Sequence, residues 1–329
     1  MMDLSGGTVL VSGGAGYVGS HICKALARAG YRPVAYDSLV RGHASAVRWG
    51  PLERGDILDR TRLDEVMARH KPAAIVHCAA LAYVGESVAD PAAYYRNNVS
   101  GTLTLLESAC AHGIRKIVVS STCAIYGVPA TVPISENAPQ QPINPYGASK
   151  LMAECILADF AGAYDLDAVA LRYFNAAGAD PDNEIGETHH PETHLIPLIL
   201  EVAAGRRAAI TVHGSDYATP DGTCVRDYVH VCDLADAHVR ALAALERLQG
   251  FWVFNLGVGR GHSVREVIAA AERVTGARVP LFTGPRRAGD APVLVADARK
   301  ARSELGWIPS LSALDDIVAT AWAWLHTSR

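Results

Sequence analysis

Several features are scarce in this chain of 329 residues, and each scarcity excludes a class of protein. The net charge is −4 and the basic residues are scattered, so the chain offers no positive field for nucleic acid. No apolar run approaches the length of a membrane span, and no charged leader with an apolar signal region precedes the first strand. We therefore expect a cytoplasmic protein that binds neither nucleic acid nor membrane.

Disulfide and metal motifs are also lacking. The seven cysteines are odd in number, widely spaced and never arranged as Cys-x-x-Cys, which argues against a disulfide framework and against a zinc site. The loop histidines His189, His190 and His194 have a spacing that suggests metal ligands, but neither a cysteine nor a carboxylate cluster supports such a site. The sequence predicts a reduced protein without a metal.

Strand and helix patterns alternate along the first half of the chain. A buried strand at Thr8–Ser12 leads through a glycine-rich turn into an apolar-periodic helix closed by Gly30, and a second strand follows at Arg32–Asp37. The alternation continues through a helix at 91–112 to a strand at Asp167–Tyr173. This pattern predicts a doubly wound parallel α/β sheet of the Rossmann type.

The texture of the sequence changes after Asn175, where a loop rich in glycine, proline and histidine is followed by short strands mixed with helices. We predict a cofactor-binding domain over residues 1–174 and a smaller C-terminal α/β domain for the substrate over 175–329. Residues 226–257 again show the pattern strand, helix, strand, which is also compatible with a return to the first sheet.

A glycine cluster lies directly between the first strand and its helix, at Gly13, Gly16 and Gly19. Side chains there would block the tight turn and the approach of a pyrophosphate to the N–H groups at the helix N-terminus, where the helix dipole favours negative charge. Tyr17 and Val18 lie in the same turn and are expected to contact the cofactor. The alternative is a glycine cluster that serves turn geometry alone.

Asp37 ends the second strand, where its carboxylate would accept hydrogen bonds from both adenosine ribose hydroxyls and repel a 2′-phosphate. NAD is therefore expected in preference to NADP, and a capping role for this aspartate is the competing interpretation. Further cofactor contacts are expected at the carboxyl ends of the following strands, the edge where such sheets bind ligands. They are Asp56, Ile57, Ala79, Ala80 and Ser120.

Tyr146 and Lys150 are separated by one helical turn, and Asn144 and Pro145 before them supply a helix cap and a first-turn proline. Both side chains should therefore project from one face of a helix. A lysine cation favours phenolate over phenol, and the positive ring of an oxidised nicotinamide acts in the same direction. A phenol whose ordinary pKa is about 10 can then become a base near neutral pH.

These motifs, together with others along nearly the whole chain, resemble the extended short-chain dehydrogenase/reductase family and, within it, the UDP-glucose 4-epimerases. The segments that carry the resemblance are residues 13–21, 84–87, 97–102, 120–127, 144–150, 171–175, 222–230 and 286–290. An NAD-dependent isomerase of UDP-sugars, active in carbohydrate and galactose metabolism, is therefore expected. Some relatives carry a lysine near the nicotinamide where this chain has Ala82 and Tyr83.

The resemblance implies a cycle that interconverts UDP-galactose and UDP-glucose through a 4-keto intermediate. Tyr146 would act as the base, Thr122 would hydrogen-bond the same sugar hydroxyl, and Lys150 would hold the nicotinamide ribose. NAD takes the hydride, the ketose turns its opposite face, and return of the hydride inverts the centre, which requires firmly held NAD. Asn98 and Tyr173 would contact the cofactor.

The same resemblance assigns the sugar-nucleotide pocket to the second half of the chain. Arg226 and Arg287 would grip the diphosphate, a role that suits guanidinium groups, and Asp290 would bind the uridine ribose. The other residues expected to line the pocket are Asn175, His194, Leu195 and Leu294. Because the last of these is smaller than the tyrosine of narrow-pocket members, an N-acetylated sugar is expected to be tolerated.

Three alternatives stay open at this point. UDP-xylose/UDP-arabinose 4-epimerases share segments 120–124, 142–147 and 222–228 with this chain, and a UDP-N-acetylglucosamine 4-epimerase is the second candidate. A non-catalytic NAD-binding regulator is the third, and retention of Tyr146 and Lys150 argues against it. Sugar-nucleotide dehydratases and decarboxylases need an acidic residue where this chain has Cys123.

The resemblance also bears on assembly. Members of the family often pair through the two helices that correspond to residues 91–112 and 146–164 of this chain. A homodimer is therefore expected.

Overall fold

The computed structural model describes residues 6–287 and 290–327. The strands are β1 Thr8–Ser12, β2 Arg32–Asp37, β3 Leu52–Arg54, β4 Ala74–His77, β5 Lys116–Thr122, β6 Asp167–Tyr173, β7 Asn175–Ala177, β8 Ile210–His213, β9 Val225–Arg226, β10 Tyr228–His230, β11 Phe251–Leu256, β12 His262–Ser263, β13 Leu281–Gly284 and β14 Val293–Leu294. The α-helices are α1 Tyr17–Arg28, α2 Arg60–His70, α3 Val84–Ala89, α4 Pro91–Tyr94, α5 Gly101–Ala111, α6 Pro145–Tyr164, α7 Leu195–Ala203, α8 Val231–Ala244, α9 Val264–Thr275, α10 Arg299–Leu305 and α11 Leu314–Thr327.

Seven of these strands form one sheet in the order β11-β6-β5-β4-β1-β2-β3, and every neighbouring pair is parallel. Parallel neighbours require crossover connections, and helices on both faces supply them. The arrangement confirms the predicted doubly wound sheet. Strand β11 comes from the 226–257 region and pairs with β6 along its whole length, from Phe251 opposite Ala168 to Leu256 opposite Tyr173.

Alternating side chains on the central strands divide the core of this sheet into two layers. On one face, Val9 and Val11 of β1 pack in a cluster with residues of α1, α8 and α10, including Leu26. On the other face, Leu10 packs with residues of α2, α5 and α6, including Leu157. Both faces of the sheet are therefore apolar, because helices pack against each of them.

The short strands after Asn175 form three small sheets, β10-β7, β12-β9-β14 and β13-β8. Helices α7, α9 and α11 pack together over a separate apolar cluster that includes Ile199, Val267 and Ile317. Among the described residues, none of the helices combines the length and the apolar character that crossing a bilayer requires. The division into domains 1–174 and 175–329 stays a prediction, with β11 contributed to the first sheet from the second segment.

The helix predicted at 91–112 is interrupted in the structure. A π-helical turn at residues 95–100 separates α4 from α5 and carries the buried Asn98. The amide of Asn98 accepts a hydrogen bond from the N–H of Leu81 and donates one to the carbonyl of the same residue, at 2.9 and 3.0 Å. Single π turns within helices are frequent at functional sites, and this one ties the helix to the loop after β4.

Candidate active site

The glycine turn after β1 has no room for a side chain at Gly13 or Gly19. Gly13 has a φ of +73°, and a Cβ there would lie 2.7 Å from the backbone nitrogen of Ala79. A Cβ on Gly19 would lie 2.0 Å from the carbonyl oxygen of Gly13. Gly16 precedes the first residue of α1 and leaves the N-terminus of that helix without a capping side chain. A pyrophosphate fits this cradle of N–H groups, because anions bind at helix N-termini.

Tyr17 and Val18, which were expected in the turn, are the first two residues of α1, and their side chains point away from the glycines. The Tyr17 hydroxyl donates a hydrogen bond of 2.6 Å to the carbonyl of Gly178, and Val18 packs against the core cluster around α1 and α8. Burial, followed by the charge of Glu187, raises the pKa of Tyr17 well above its usual range. These side chains join the first sheet to the second half of the chain, so a cofactor contact at either position would come from the backbone.

Asp37 lies at the carboxyl end of β2 and already holds two backbone groups. Its carboxylate accepts hydrogen bonds from the N–H of Ala15, at 3.0 Å, and of Leu39, at 2.8 Å. Burial raises the pKa of this carboxyl group. The structural role that competed with ribose binding is therefore present. The two roles are compatible, because a carboxylate has about four acceptor positions and two are used.

The other predicted strand-end residues lie along the same edge of the sheet. Ala79 and Ala80 follow β4, and Ala79 is the residue against which Gly13 packs. Ile57 is buried, and a Cβ on Gly101 would lie 2.4 Å from its Cδ1 atom. The exposed Asp56 uses Oδ1 to accept the N–H of Leu58 at 2.9 Å.

Asn98, predicted to contact the cofactor, has its side chain occupied by the protein. Besides its two hydrogen bonds to Leu81, its amide nitrogen donates to the hydroxyl of Ser149 at 3.0 Å. Ser149 is the residue before Lys150 on α6. The structure therefore shows Asn98 fixing the loop after β4 to the helix that carries the predicted catalytic pair.

The structure brings the predicted catalytic residues together at the carboxyl end of β5. Asn144 caps α6 by accepting the N–H of Gly147 at 2.8 Å, with Pro145 in the first turn, as the sequence predicted. Tyr146 hydrogen-bonds Thr122, the last residue of β5. Lys150 is buried, and its ammonium group donates to the carbonyl of Ser120 at 2.8 Å.

Burial dominates the proton affinities of Tyr146 and Lys150 in the protein alone. Burial raises the pKa of Tyr146 to about 12, and the hydrogen bond with Thr122 offsets this only in part. Burial lowers the pKa of Lys150 to about 8. In the protein alone, burial thus makes the phenol a weaker acid than free tyrosine. The expected shift toward neutral pH also invokes the positive ring of bound oxidised nicotinamide, and it stays a prediction. A further positive charge beside the phenol is needed.

Three polar side chains, Ser120, His238 and Tyr173, lie next to the catalytic pair, and the sequence predicted two of them. The Ser120 hydroxyl contacts Nε2 of His238 at 2.9 Å and also hydrogen-bonds Tyr173, whose pKa is raised strongly by burial. Sequence reasoning missed His238, because a lone histidine on an apolar helix face is typical of an ordinary core residue. Only the packing of α8 under β5 reveals its partner.

The residues predicted to bind the diphosphate and the uridine ribose also converge. A guanidinium nitrogen of Arg226 lies 3.6 Å from one carboxylate oxygen of Asp290, and Arg287 donates to the other at 3.0 Å. Leu294 pairs with Arg226 across β14 and β9 and packs on a cluster that includes Cys123. In the motif at 286–290, residues 288 and 289 lie outside the described part of the chain.

The three remaining pocket residues mark the start of the second half of the chain. Asn175 opens β7 and donates its N–H to the carbonyl of Asp227 at 3.0 Å. Leu195 begins α7 and packs against the apolar cluster around α7 and α9. His194 precedes that helix and hydrogen-bonds Glu187, and the carboxylates of Glu187 and Glu192 raise its pKa to about 9 against the opposing effect of burial.

The structure also corrects the argument against a metal. Two carboxylates, from Glu187 and Glu192, lie with His189 and His194 so that one ligand atom of each falls within 4.8 Å of the others. The statement that no carboxylate cluster accompanies these histidines is therefore wrong. Glu187 and Glu192 were overlooked because a loop without periodicity does not show which side chains meet.

Comparison of the chain with known protein families agrees with the arrangement of the site residues described above. The model of the NAD dependent epimerase/dehydratase family matches residues 9–257. The chain belongs to this family. Membership confirms the prediction of an NAD-dependent epimerase with a Rossmann-type sheet and NAD as cofactor.

Individual relatives are similar over nearly the full length. The chain is 56% identical to the UDP-glucose 4-epimerase of Rhizobium leguminosarum bv. trifolii, over 98% of both chains, and 52% identical to that of Lacticaseibacillus casei, over 96% of both. A crystal structure of UDP-glucose 4-epimerase from Brucella ovis in complex with NAD superposes with a TM-score of 0.94, is 55% identical, and covers 96% of this chain and 98% of that one.

Proposed function

We propose that this chain is an epimerase that interconverts UDP-galactose and UDP-glucose at carbon 4 of the sugar. The observation that carries the proposal is the convergence of Tyr146, Thr122 and Lys150 at the carboxyl end of β5, two strands from the glycine turn. UDP-glucose 4-epimerases that are 52–56% identical over nearly the whole chain support the choice of substrate.

The chemistry requires one group that takes and returns the hydroxyl proton. Tyr146 is suited to this role because it is hydrogen-bonded to Thr122, which would hold the same sugar hydroxyl. Bound oxidised NAD would accept the hydride from the carbinol carbon. Its positively charged nicotinamide ring, beside Tyr146, would lower the pKa of the phenol. Lys150, held by the carbonyl of Ser120, orients the nicotinamide ribose.

The substrate must be bound firmly at its nucleotide diphosphate and loosely at its hexose, because the hexose has to present both faces to the nicotinamide. Arg226 and Arg287 are already held together by Asp290, and this arrangement suits a diphosphate that two guanidinium groups clamp. Asp290 would then accept hydrogen bonds from the uridine ribose. The binding energy is thereby concentrated on the nucleotide, which leaves the hexose free to turn.

The proposal is tested by replacing the proposed base. Tyr146→Phe is expected to lower the rate of UDP-galactose to UDP-glucose conversion by about 100-fold or more, the size of a general-base effect, while the NAD content of the purified protein is unchanged. Tyr164→Phe, an exposed tyrosine on the same helix, serves as the control and should retain full activity. Near-normal turnover of Tyr146→Phe would remove this residue from the mechanism.

An isotope experiment tests the reaction type separately. Deuterium at carbon 4 of UDP-galactose should be found at carbon 4 of UDP-glucose, because the hydrogen leaves and returns within one closed site. Loss of the label to water would argue for proton abstraction at carbon and against the proposed cycle.

Two further candidate substrates, a UDP-pentose and an N-acetylated UDP-hexose, are favoured by specific relatives. A UDP-glucose-4-epimerase from Stenotrophomonas maltophila, 42% identical with a TM-score of 0.94, was crystallised with NAD and formylated UDP-arabinopyranose. A Campylobacter jejuni UDP-Glc/GlcNAc 4-epimerase is 40% identical with a TM-score of 0.85. Leu294 is half-buried and pairs with Arg226, and its side chain is smaller than the tyrosine of narrow-pocket family members, which favours a wider pocket.

The substrate range is settled by a panel of UDP-hexoses, UDP-pentoses and N-acetylated UDP-sugars offered to one preparation. We expect the highest kcat/KM with UDP-galactose and measurable turnover of UDP-N-acetylgalactosamine. No turnover of the N-acetylated sugar would exclude the wide pocket, and a higher kcat/KM for UDP-arabinose would make the pentose the physiological substrate.

We also infer that two copies of the chain associate and that the protein acts in a reducing cytoplasm. Apolar side chains project into solvent from α5 and α6, including Leu103 and Met152, and such faces commonly pair in oligomers. The seven cysteines are all unpaired, as expected where thiols are kept reduced.

A further inference from the structure

A cluster of histidines and glutamates lies in the loop between β7 and α7, and one of its members, His194, is also expected to line the sugar-nucleotide pocket. Its members, called the His–Glu cluster below, are Glu187, His189, Glu192 and His194. Nδ1 of His189 and Nδ1 of His194 both approach the same carboxylate oxygen of Glu187. Each histidine also lies 3.9 Å from a carboxylate oxygen of Glu192.

The two carboxylates of the cluster are largely shielded from water. The side chain of Glu187 is 6% exposed and that of Glu192 is 11% exposed. Within the described residues, neither forms an ion pair with a lysine or an arginine. Two buried negative charges side by side are costly unless cations compensate them. Within the described part of the chain, the side chains opposite them are the two imidazoles, and Glu192 also accepts the N–H groups of Thr193 and His194 at 2.7 and 2.8 Å.

A neighbouring acidic group shows the contrast. Asp180, Asp182 and Glu184 also come together, but the ammonium group of Lys24 lies 2.6 to 2.8 Å from a carboxylate oxygen of each. That group is already neutralised by a resident cation. In the His–Glu cluster no lysine among the described residues faces the two glutamates, and the nitrogen atoms of two histidines lie at that place.

The orientation of His189 is a second and independent observation. Its Nδ1 atom is buried and, among the described residues, makes no aligned hydrogen bond, although Glu187 Oε1 is 2.9 Å away. The rings of Tyr17 and Tyr83 pack edge-on against the His189 ring, at centroid distances of 6.2 and 5.7 Å, and hold it in place. A buried ring nitrogen that has no aligned hydrogen-bond partner is free to offer its lone pair to a metal, for which neutral imidazole is a common ligand.

We propose that the His–Glu cluster binds one divalent first-row transition metal ion, with Zn²⁺ as the probe. Imidazole and carboxylate are the ligand types that zinc takes together in proteins, and two of each form a four-coordinate set. An ion of charge +2 would neutralise the two glutamates while leaving both histidines neutral.

The site would act as a clamp on the cofactor domain. Tyr17 is the first residue of the helix whose N-terminus forms the glycine cradle, and Tyr83 follows β4 near Ala79. The same loop is fastened by Arg41, which donates to the carbonyl of His190 at 3.2 Å, and by His43, whose Nε2 lies 2.9 Å from the carbonyl of Thr188. A metal in the cluster would make this closure rigid.

The test measures metal binding directly, so its outcome is independent of epimerase activity. The full chain is stripped with a chelator, reloaded with Zn²⁺, and analysed for zinc per chain and for affinity by competition with a chromophoric chelator. We expect one equivalent in the wild type. His189→Ala removes a proposed ligand and should weaken binding by at least about tenfold, because loss of a group that merely supports a ligand already costs that much.

His190→Ala is the matched control, since this exposed neighbour in the same loop lies outside the cluster and should bind zinc like the wild type. Cobalt substitution gives a second readout, because a tetrahedral site produces visible absorption bands that His189→Ala should lose. His189→Gln repeats the measurement with a milder change if the alanine variant unfolds. Zinc binding that is absent from the wild type, or equal in all variants as adventitious cysteine binding would be, overturns the proposal.

Discussion

At the scale of single residues, Lys150 shows how function opposes stability. Its ammonium group is buried, with the carbonyl of Ser120 as its hydrogen-bond partner at 2.8 Å. Burial lowers the pKa of this group from 10.5 to about 8. The charged ammonium group therefore destabilises the folded state at neutral pH. The folded state releases the proton near pH 8, whereas the unfolded chain keeps it to about pH 10.5. The free energy of unfolding therefore rises with pH across this interval.

Replacing this lysine by an apolar side chain of similar shape is expected to stabilise the empty protein. Lys150→Met should raise the free energy of unfolding at pH 7 by about 1 to 3 kcal/mol, the value of the pKa change less the lost hydrogen bond. The measurement is urea unfolding at several pH values without added nucleotide. The advantage of the variant should shrink between pH 8 and 10.5.

Lys71→Met, at an exposed position, is the control and should show no such pH dependence. A constant difference between Lys150→Met and the wild type over the whole pH range would show that burial does not depress the proton affinity of Lys150.

At the scale of elements, α1 is attached to the segment after β7 by a buried ion pair. Lys24 of α1 meets Asp180 at 2.6 Å, with side-chain exposures of 5% and 1%. The same ammonium group reaches Asp182 and Glu184. Removing it would leave a buried carboxylate without a counter-charge, which costs more than the pair contributes.

We expect Lys24→Met to lower the free energy of unfolding by roughly 3 kcal/mol, measured by urea unfolding at neutral pH. The matched control is Arg28→Met on the same helix, whose partner Asp182 is exposed, so its loss should be much smaller. Equal effects of the two substitutions would mean that burial of the Lys24–Asp180 pair contributes nothing.

At the scale of the whole molecule, the exposed apolar faces of α5 and α6 predict the assembly. Leu103 and Met152 are 37% and 45% exposed on helices that pack against each other. The wild type is expected to sediment as two copies, and the double substitution Leu103→Glu and Met152→Glu as one, because charge is excluded from interface centres.

Phe282→Glu serves as the control for that experiment. Phe282 is 69% exposed on β13, away from α5 and α6, and its substitution should leave the sedimentation coefficient unchanged. A wild-type chain that sediments as a monomer at micromolar concentration would contradict the inferred homodimer.

Much of this protein could be predicted from the sequence, because the decisive patterns are local. The spacing of Gly13, Gly16 and Gly19 predicted a tight turn into a helix, and a Cβ at Gly13 or Gly19 would collide with backbone atoms. The four-residue spacing of Tyr146 and Lys150, with the cap before them, placed both on one helix face. The alternation of strand and helix patterns predicted the parallel sheet.

Tertiary structure decided what depends on residues far apart in the chain. The raised pKa of Tyr146 results from burial, which is a property of packing and not of the Tyr-Lys spacing. Strand β11 joined the large sheet through its pairing with β6, about 80 residues earlier in the sequence. The carboxylates of Glu187 and Glu192 met their histidines only through the path of an irregular loop. Local sequence sets backbone geometry, whereas burial and long-range contact set the chemistry.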